Sequence, residues 1–155
     1  MSSLRRRSIG VLLVAATATA TLTAGCAAPN TGGLDAPDSP VARYDWDPRR
    51  GGDDALLEGT LAPIDGCLMI VDSADGSGPG TVPVFTRELT SWDADAQVLT
   101  YAGDEFALGD RVAAGGGWGP PTEDMTIPDA CVPDEWGDVM HVQDTSLRPL
   151  EARDL

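Results

Sequence analysis

Hydrophobic and polar positions divide this chain into three stretches. From Ile9 to Ala24, sixteen residues are apolar or small, interrupted only by Gly10 and threonines. A membrane-crossing helix needs roughly 20 apolar residues, so this run is short for a span. From Ala27 to Asp54 apolar periodicity nearly vanishes and Pro, Gly and Asp dominate, the pattern of a flexible tether. From Leu56 onward, short apolar runs alternate with turn residues, which predicts strands rather than helices. Six strands are expected, at Leu56 to Ile64, Cys67 to Val71, Val82 to Phe85, Gln97 to Tyr101, Asp110 to Ala114 and Asp138 to Val142.

The turn residues support this reading. Asp65-Gly66 separates the first two runs, and that pair supplies the positive φ angles of a type I′ hairpin turn. A longer turn is expected across Asp72 to Gly80, which holds Asp75-Gly76 and Gly78-Pro79-Gly80. Past the first apolar stretch no segment keeps helical spacing over three turns, so at most one helical turn is expected, over Pro133 to Gly137. The fold class is therefore mainly β. A small OB-like β-barrel of five to six strands fits these lengths, with a compact β-sandwich as the alternative; closing the sheet into a barrel removes exposed edges that would otherwise aggregate. The division that follows is 1–25 as a signal, 26–54 as a tether, 55–147 as the β domain and 148–155 as a tail.

The first stretch has more to say once its flanks are read. Arg5, Arg6 and Arg7 precede it, and it ends in Leu22-Thr23-Ala24-Gly25-Cys26, an order matching an export signal with a defined cut site. This resembles the lipobox of bacterial lipoprotein precursors. Thr23 departs from the pattern, because an aliphatic residue is usual there and Leu22 lies one place further back. The resemblance implies that Cys26 becomes the mature N-terminus and carries a thioether-linked diacylglycerol. Each buried methylene contributes about 0.8 kcal/mol, and two chains hold a protein where one binds only reversibly. An ordinary cleaved signal with Cys26 as an incidental thiol is the alternative. Arg6-Arg7-Ser8-Ile9 also loosely resembles a twin-arginine signal, so the export route stays open.

With Cys26 taken by lipid, Cys67 and Cys131 remain, and in an oxidising compartment they are expected to pair. Closing a loop of about 65 residues restricts the unfolded chain by about 4 kcal/mol in the chain-entropy picture. Removal of the signal leaves 7 of the 10 basic residues against 25 acidic ones, a net charge of −18, and lysine is absent altogether. Such a surface repels nucleic acid and offers no basic stripe for phosphate, so no nucleic-acid partner is expected. The expected partners are the membrane, through the anchor at Cys26, and an envelope protein or cell-wall fragment.

Gly66-Cys67-Leu68, Pro83-Val84-Phe85, Leu108-Gly109-Asp110-Arg111-Val112, Gly115-Gly116-Gly117 and Cys131 together resemble a small β domain of exported lipoproteins of high-GC bacteria, over about residues 56 to 143. The resemblance implies an envelope lipoprotein and nothing narrower. Physically, Gly109-Asp110 reads as a turn entering a strand in which Val112 faces inward and Arg111 pairs with a surface carboxylate.

One segment stands out as a candidate site. Gly115 to Pro121 reads as a glycine-rich loop in which Gly116 and Gly117 permit close backbone approach and Trp118 offers a flat apolar face. Trp118 is expected either to fold back as a lid over the barrel end or to serve as a platform for a sugar or peptide. The Lys and Ser/Thr of a phosphate-binding loop are missing. Tyr44-Asp45-Trp46 places two aromatics in a polar stretch and is expected to dock on the domain, or else to be a peptide epitope. Trp92 and Trp136 read as packing residues.

No residue pattern specifies a reaction. His141 is the sole histidine and sits in an alternating run beside Met140 and Val142. No Gly-x-Ser-x-Gly elbow accompanies it. Asp72 with Asp75, and Asp93 with Asp95, lie in turns that Asp favours through its own backbone hydrogen bonds, and neither matches an EF-hand. A non-catalytic module with no cofactor and no metal is the expectation. A calcium-binding or carboxylate-based hydrolytic envelope protein is the alternative.

Overall fold

The computed structural model describes residues 33–131 and 137–150. Cys26, Trp136 and most of the helical turn expected at Pro133 to Gly137 fall outside the described residues. The architecture is mainly β, as the pattern predicts, with more strands than the six expected. Eleven are present among the described residues: β1 (Ala42–Tyr44), β2 (Ala55–Ile64), β3 (Cys67–Val71), β4 (Gly80–Thr81), β5 (Pro83–Thr86), β6 (Thr90–Asp93), β7 (Val98–Tyr101), β8 (Asp104–Ala107), β9 (Arg111–Gly119), β10 (Val139–Val142) and β11 (Arg148–Pro149). Short 3-10 turns occupy Pro48–Arg50, Arg87–Leu89 and Asp129–Cys131.

One sheet runs in the order β1-β5-β10-β9-β2-β3-β4, with β11 pairing beside β10 on β9. β6, β7 and β8 form a second, three-stranded antiparallel sheet. β2 and β3 make the expected hairpin, in register Ile64 to Cys67, and Asp65 and Gly66 take φ of 50° and 90° as a type I′ turn requires. Ala102 and Gly103 repeat that geometry between β7 and β8, at 53° and 95°.

The large sheet buries both faces, which its sequence shows as near-continuous apolar runs. Leu61, Leu68, Ile70, Phe85, Val112 and Val142 join the main core. Onto them the small sheet presses Trp92, Leu99, Tyr101 and Phe106, while the residues between these point outward, the alternation of a sheet with one solvated side. Trp92 is thus a packing residue, as expected. On the other face Ala42, Tyr44, Val82, Val84 and Val139 gather around Cys67 and Cys131, with Met125, Ile127 and Trp46 packed over them.

The sheet curls until its two ends meet. The segment leading into β1 passes beside β3, and the Leu68 amide donates to the Pro40 carbonyl at 2.8 Å. At the same seam Cys67 and Cys131 are disulfide-bonded, with Cα atoms 4.9 Å apart, and Cys131 Sγ lies 3.5 Å from the Pro40 carbonyl oxygen. The expected cystine therefore ties the segment after β9 to the strand that closes the curl.

The boundaries of the expected tether need correction. Residues 33–47, assigned to a flexible linker, belong to the domain: Leu34, Val41 and Ala42 are buried, and β1 pairs in parallel with β5 from Ala42–Val84 to Tyr44–Thr86. The reason is a packing need invisible in local polarity, since β5 would otherwise be an edge strand with its row of amides and carbonyls unpaired. Two arginines clasp the segment: Arg43 and Arg87 both reach Asp35 Oδ1 at 3.1 Å, and Arg87 also pairs with Asp45 at 3.1 Å. The assigned tail is likewise corrected at its start, because Arg148–Pro149 is β11 against Val112 and Ala113.

Replacing Cys67 and Cys131 together by alanine is expected to lower unfolding free energy by about 4 kcal/mol, the loop-closure value for this separation. Guanidinium denaturation of the oxidised wild type and the double variant checks it. A loss below about 1 kcal/mol would show that the seam holds without its staple.

Candidate functional site

The glycine-rich segment is strand, not loop. Residues 115–119 continue β9, where Gly117 faces His141 and Trp118 faces Met140 on β10. The expectation of a glycine-rich loop from Gly115 to Pro121 is corrected accordingly for residues 115–119. Its glycines answer a steric demand from three neighbours. A Cβ on Gly116 would stand 1.9 Å from the His141 carbonyl oxygen, one on Gly117 would stand 2.1 Å from Asp53 Oδ2, and one on Gly115 would stand 2.5 Å from Asp144 Oδ2. The Gly115 amide donates to that same Asp144 oxygen at 2.9 Å. Gly115, Gly116 and Gly117 thus let Asp144, β10 and Asp53 lie flat on β9.

Trp118 emerges from this flat region with 48 % of its surface exposed. It is not a lid. Leu56 is the other large exposed apolar side chain among the described residues, at 49 %. An indole left half in water at the end of a central strand presents a rigid stacking face at low entropic cost.

Next to the glycine run, Tyr44 and His141 meet with ring centroids 5.9 Å apart. Tyr44 docks as its pairing with Trp46 suggests: it is buried and its hydroxyl donates to the Val142 carbonyl at 3.0 Å, while Trp46 Nε1 donates to the Gly51 carbonyl at 3.2 Å. Burial pushes the Tyr44 phenol well above its ordinary value, and the charges of Tyr101, Asp124 and Asp53 add to the effect. Tyr101 is raised too, again mainly by burial, with the Thr86 hydroxyl opposing. A hydrogen bond from the Thr122 hydroxyl holds the exposed Asp124 carboxyl below the usual range, with a smaller contribution from His141. His141 Nε2 is buried without a hydrogen-bond partner among the described residues, and no serine, cysteine or threonine hydroxyl or thiol among them is bonded to it.

The acidic turns behave as turns. Asp75 Oδ1 accepts from the Ser77 amide and hydroxyl, and Asp93 Oδ1 accepts from the amides of Asp95 and Ala96. Among the described residues, no three of His, Cys, Asp or Glu are placed to hold a metal ion. No carboxylate among them pairs with Arg111, against expectation; its Nε is buried without a partner beside the β11 strand.

Among the described residues, open grooves lie away from Trp118. One of about 450 Å³ runs between Gly33, Trp92, Asp95 and Glu105. A second, of about 430 Å³, lies between Phe106, Arg111 and Pro149, and a third, of about 270 Å³, lies beside Trp46, Arg50 and Glu88. Sequence reasoning missed these grooves: two join segments distant along the chain, Phe106 and Arg111 with Pro149 and Trp46 with Glu88, and the one beside Trp92 sets the consecutive strands β6 to β8 against Gly33. No family model matches the chain, and neither does any curated protein or solved structure.

Trp118→Ala is expected to change stability by less than about 1 kcal/mol, as for an exposed side chain, whereas Gly116→Ala forces a methyl into backbone and should cost about 3 kcal/mol or more. Urea denaturation of both variants tests the pair, and a large loss from Trp118→Ala would restore the lid. A second expectation concerns alkaline pH. Both tyrosines hold their protons longer when folded, so the stability they contribute is complete below pH 10 and falls as pH rises further, because the unfolded chain then releases protons that the folded chain retains. With only two tyrosines in the chain, the rise in absorbance near 295 nm that marks phenolate comes from these two groups, above the background of the four tryptophans. Phenolate should appear together with loss of the β circular dichroism signal; normal titration of a folded protein at pH 10 would contradict the burial.

Proposed function

We propose that this chain is an extracytoplasmic lipoprotein, anchored in the cell membrane through Cys26 and serving as a non-catalytic binding or accessory module of the envelope. The carrying observation is the use of its cysteines. Cys67 and Cys131 form a cystine at the seam of the sheet, a bond that persists in oxidising compartments and is rare in the cytosol. The one cysteine left over stands directly after a basic and apolar leader. A surface with 25 acidic residues and no lysine keeps such a domain soluble and away from nucleic acid. The half-exposed Trp118 is the face we assign to a protein, peptide or cell-wall partner, since exposed aromatic rings are what such interfaces favour.

Expression of the full chain in a bacterial host tests the anchor. Intact mass should show loss of residues 1–25, a diacylglyceryl group on Cys26 and two fewer hydrogens for the cystine. Cys26→Ser should move the protein from the membrane fraction to the soluble extracytoplasmic fraction with its fold intact. A membrane-bound Cys26→Ser variant, or an unmodified thiol at Cys26, would refute the reading.

A further inference from the structure

The point where the chain enters the domain determines how far from its anchor the domain can sit. Leu34 is 1 % exposed within the main core, and Gly33 lies so tightly on β6 that a Cβ there would stand 1.8 Å from the Trp92 carbonyl oxygen. The following residues are held by β1, by the Pro40–Leu68 hydrogen bond and by the Asp35 clasp, so none of them is available as slack. Between Cys26 and this fixed entry only seven residues remain, 27 to 33. Whatever their conformation, seven residues span at most about 25 Å, and as a random coil about 15 Å. The 28-residue tether suggested by composition would reach about 30 Å as a coil and nearly 100 Å extended.

We infer that the domain is held against the bilayer surface with its small sheet toward the lipid headgroups. This placement rests on the lipid anchor at Cys26 proposed above. The face concerned is the open groove beside the entry point, bounded by Gly33, Trp92, Asp93, Asp95, Ala96 and Glu105. Its partner is the headgroup layer itself. Asp93, Asp95 and Glu105 are exposed there, so the contact is polar and repels anionic lipid, and the leash rather than adhesion keeps the two surfaces together.

The test uses the full lipidated chain carrying Ala96→Cys, whose thiol is the single free one once Cys26 is acylated and the cystine is formed. A fluorescent donor at that thiol reports energy transfer to acceptor-labelled lipid in phosphatidylcholine vesicles. Inserting 20 Gly/Ser residues between Asn30 and Thr31 roughly doubles the coil length of the leash, so transfer should fall by about half or more. Replacing phosphatidylcholine by phosphatidylglycerol at low salt should lower transfer for the native leash, with recovery as salt is added. Equal transfer for both leash lengths, with acylation confirmed by intact mass, would overturn the placement while leaving the lipoprotein reading in place. Stronger transfer on phosphatidylglycerol would also overturn it. An intact mass without diacylglycerol removes the anchor, and the placement with it.

Discussion

The seam where the curled sheet meets itself is the constraint on which the other features depend. A seven-strand path with β1 at one end and β3 with β4 at the other would leave backbone donors and acceptors open at both margins. Here the Leu68 amide finds the Pro40 carbonyl, and the Cys67–Cys131 bond sits against the same carbonyl. In a domain this small, which buries a modest fraction of its unfolded surface, a covalent restriction at a junction of sequence-distant segments compensates for a thin margin of stability. The seam also fixes where the N-terminal segment from Leu34 to Tyr44 runs.

Charge plays a subordinate part inside the fold and a dominant one outside it. The ion pairs among the described residues converge on Arg43 and Arg87, which share Asp35 and hold the N-terminal segment to the body of the protein. Arg43 is almost wholly buried and Asp35 largely exposed, so the clasp is anchored from within and screened from without. The remaining carboxylates are mostly solvated or occupied with turn amides, as at Asp75 and Asp93. They give the surface its sign, and with it a preference against anionic partners.

The glycines of β9 illustrate how one residue type serves two readings. In sequence, Gly115-Gly116-Gly117 before an exposed tryptophan resembles a pliable ligand loop. In three dimensions each glycine is the hole into which another group fits: Asp144, the β10 backbone and Asp53. The strand is closely packed for that reason, and Trp118 near its end stands half exposed on a paired strand.

Much of this was legible in the residues themselves. The β2–β3 hairpin followed from alternation and Asp65-Gly66, the cystine from cysteine count and compartment, and the burial of Trp92 and Tyr44 from the rarity of solvated aromatics in such positions. These are local signals, carried by periodicity, turn chemistry and composition. The membership of residues 33–47 in the domain, the parallel placement of β1 and β10 on β5, the strand character of residues 115–119 and the closing of the sheet through Pro40 were decided only by tertiary structure. Each depends on pairing between segments some twenty to sixty residues apart, where a polar stretch is drawn into a sheet because a neighbouring strand needs its hydrogen bonds, and no local pattern encodes that need.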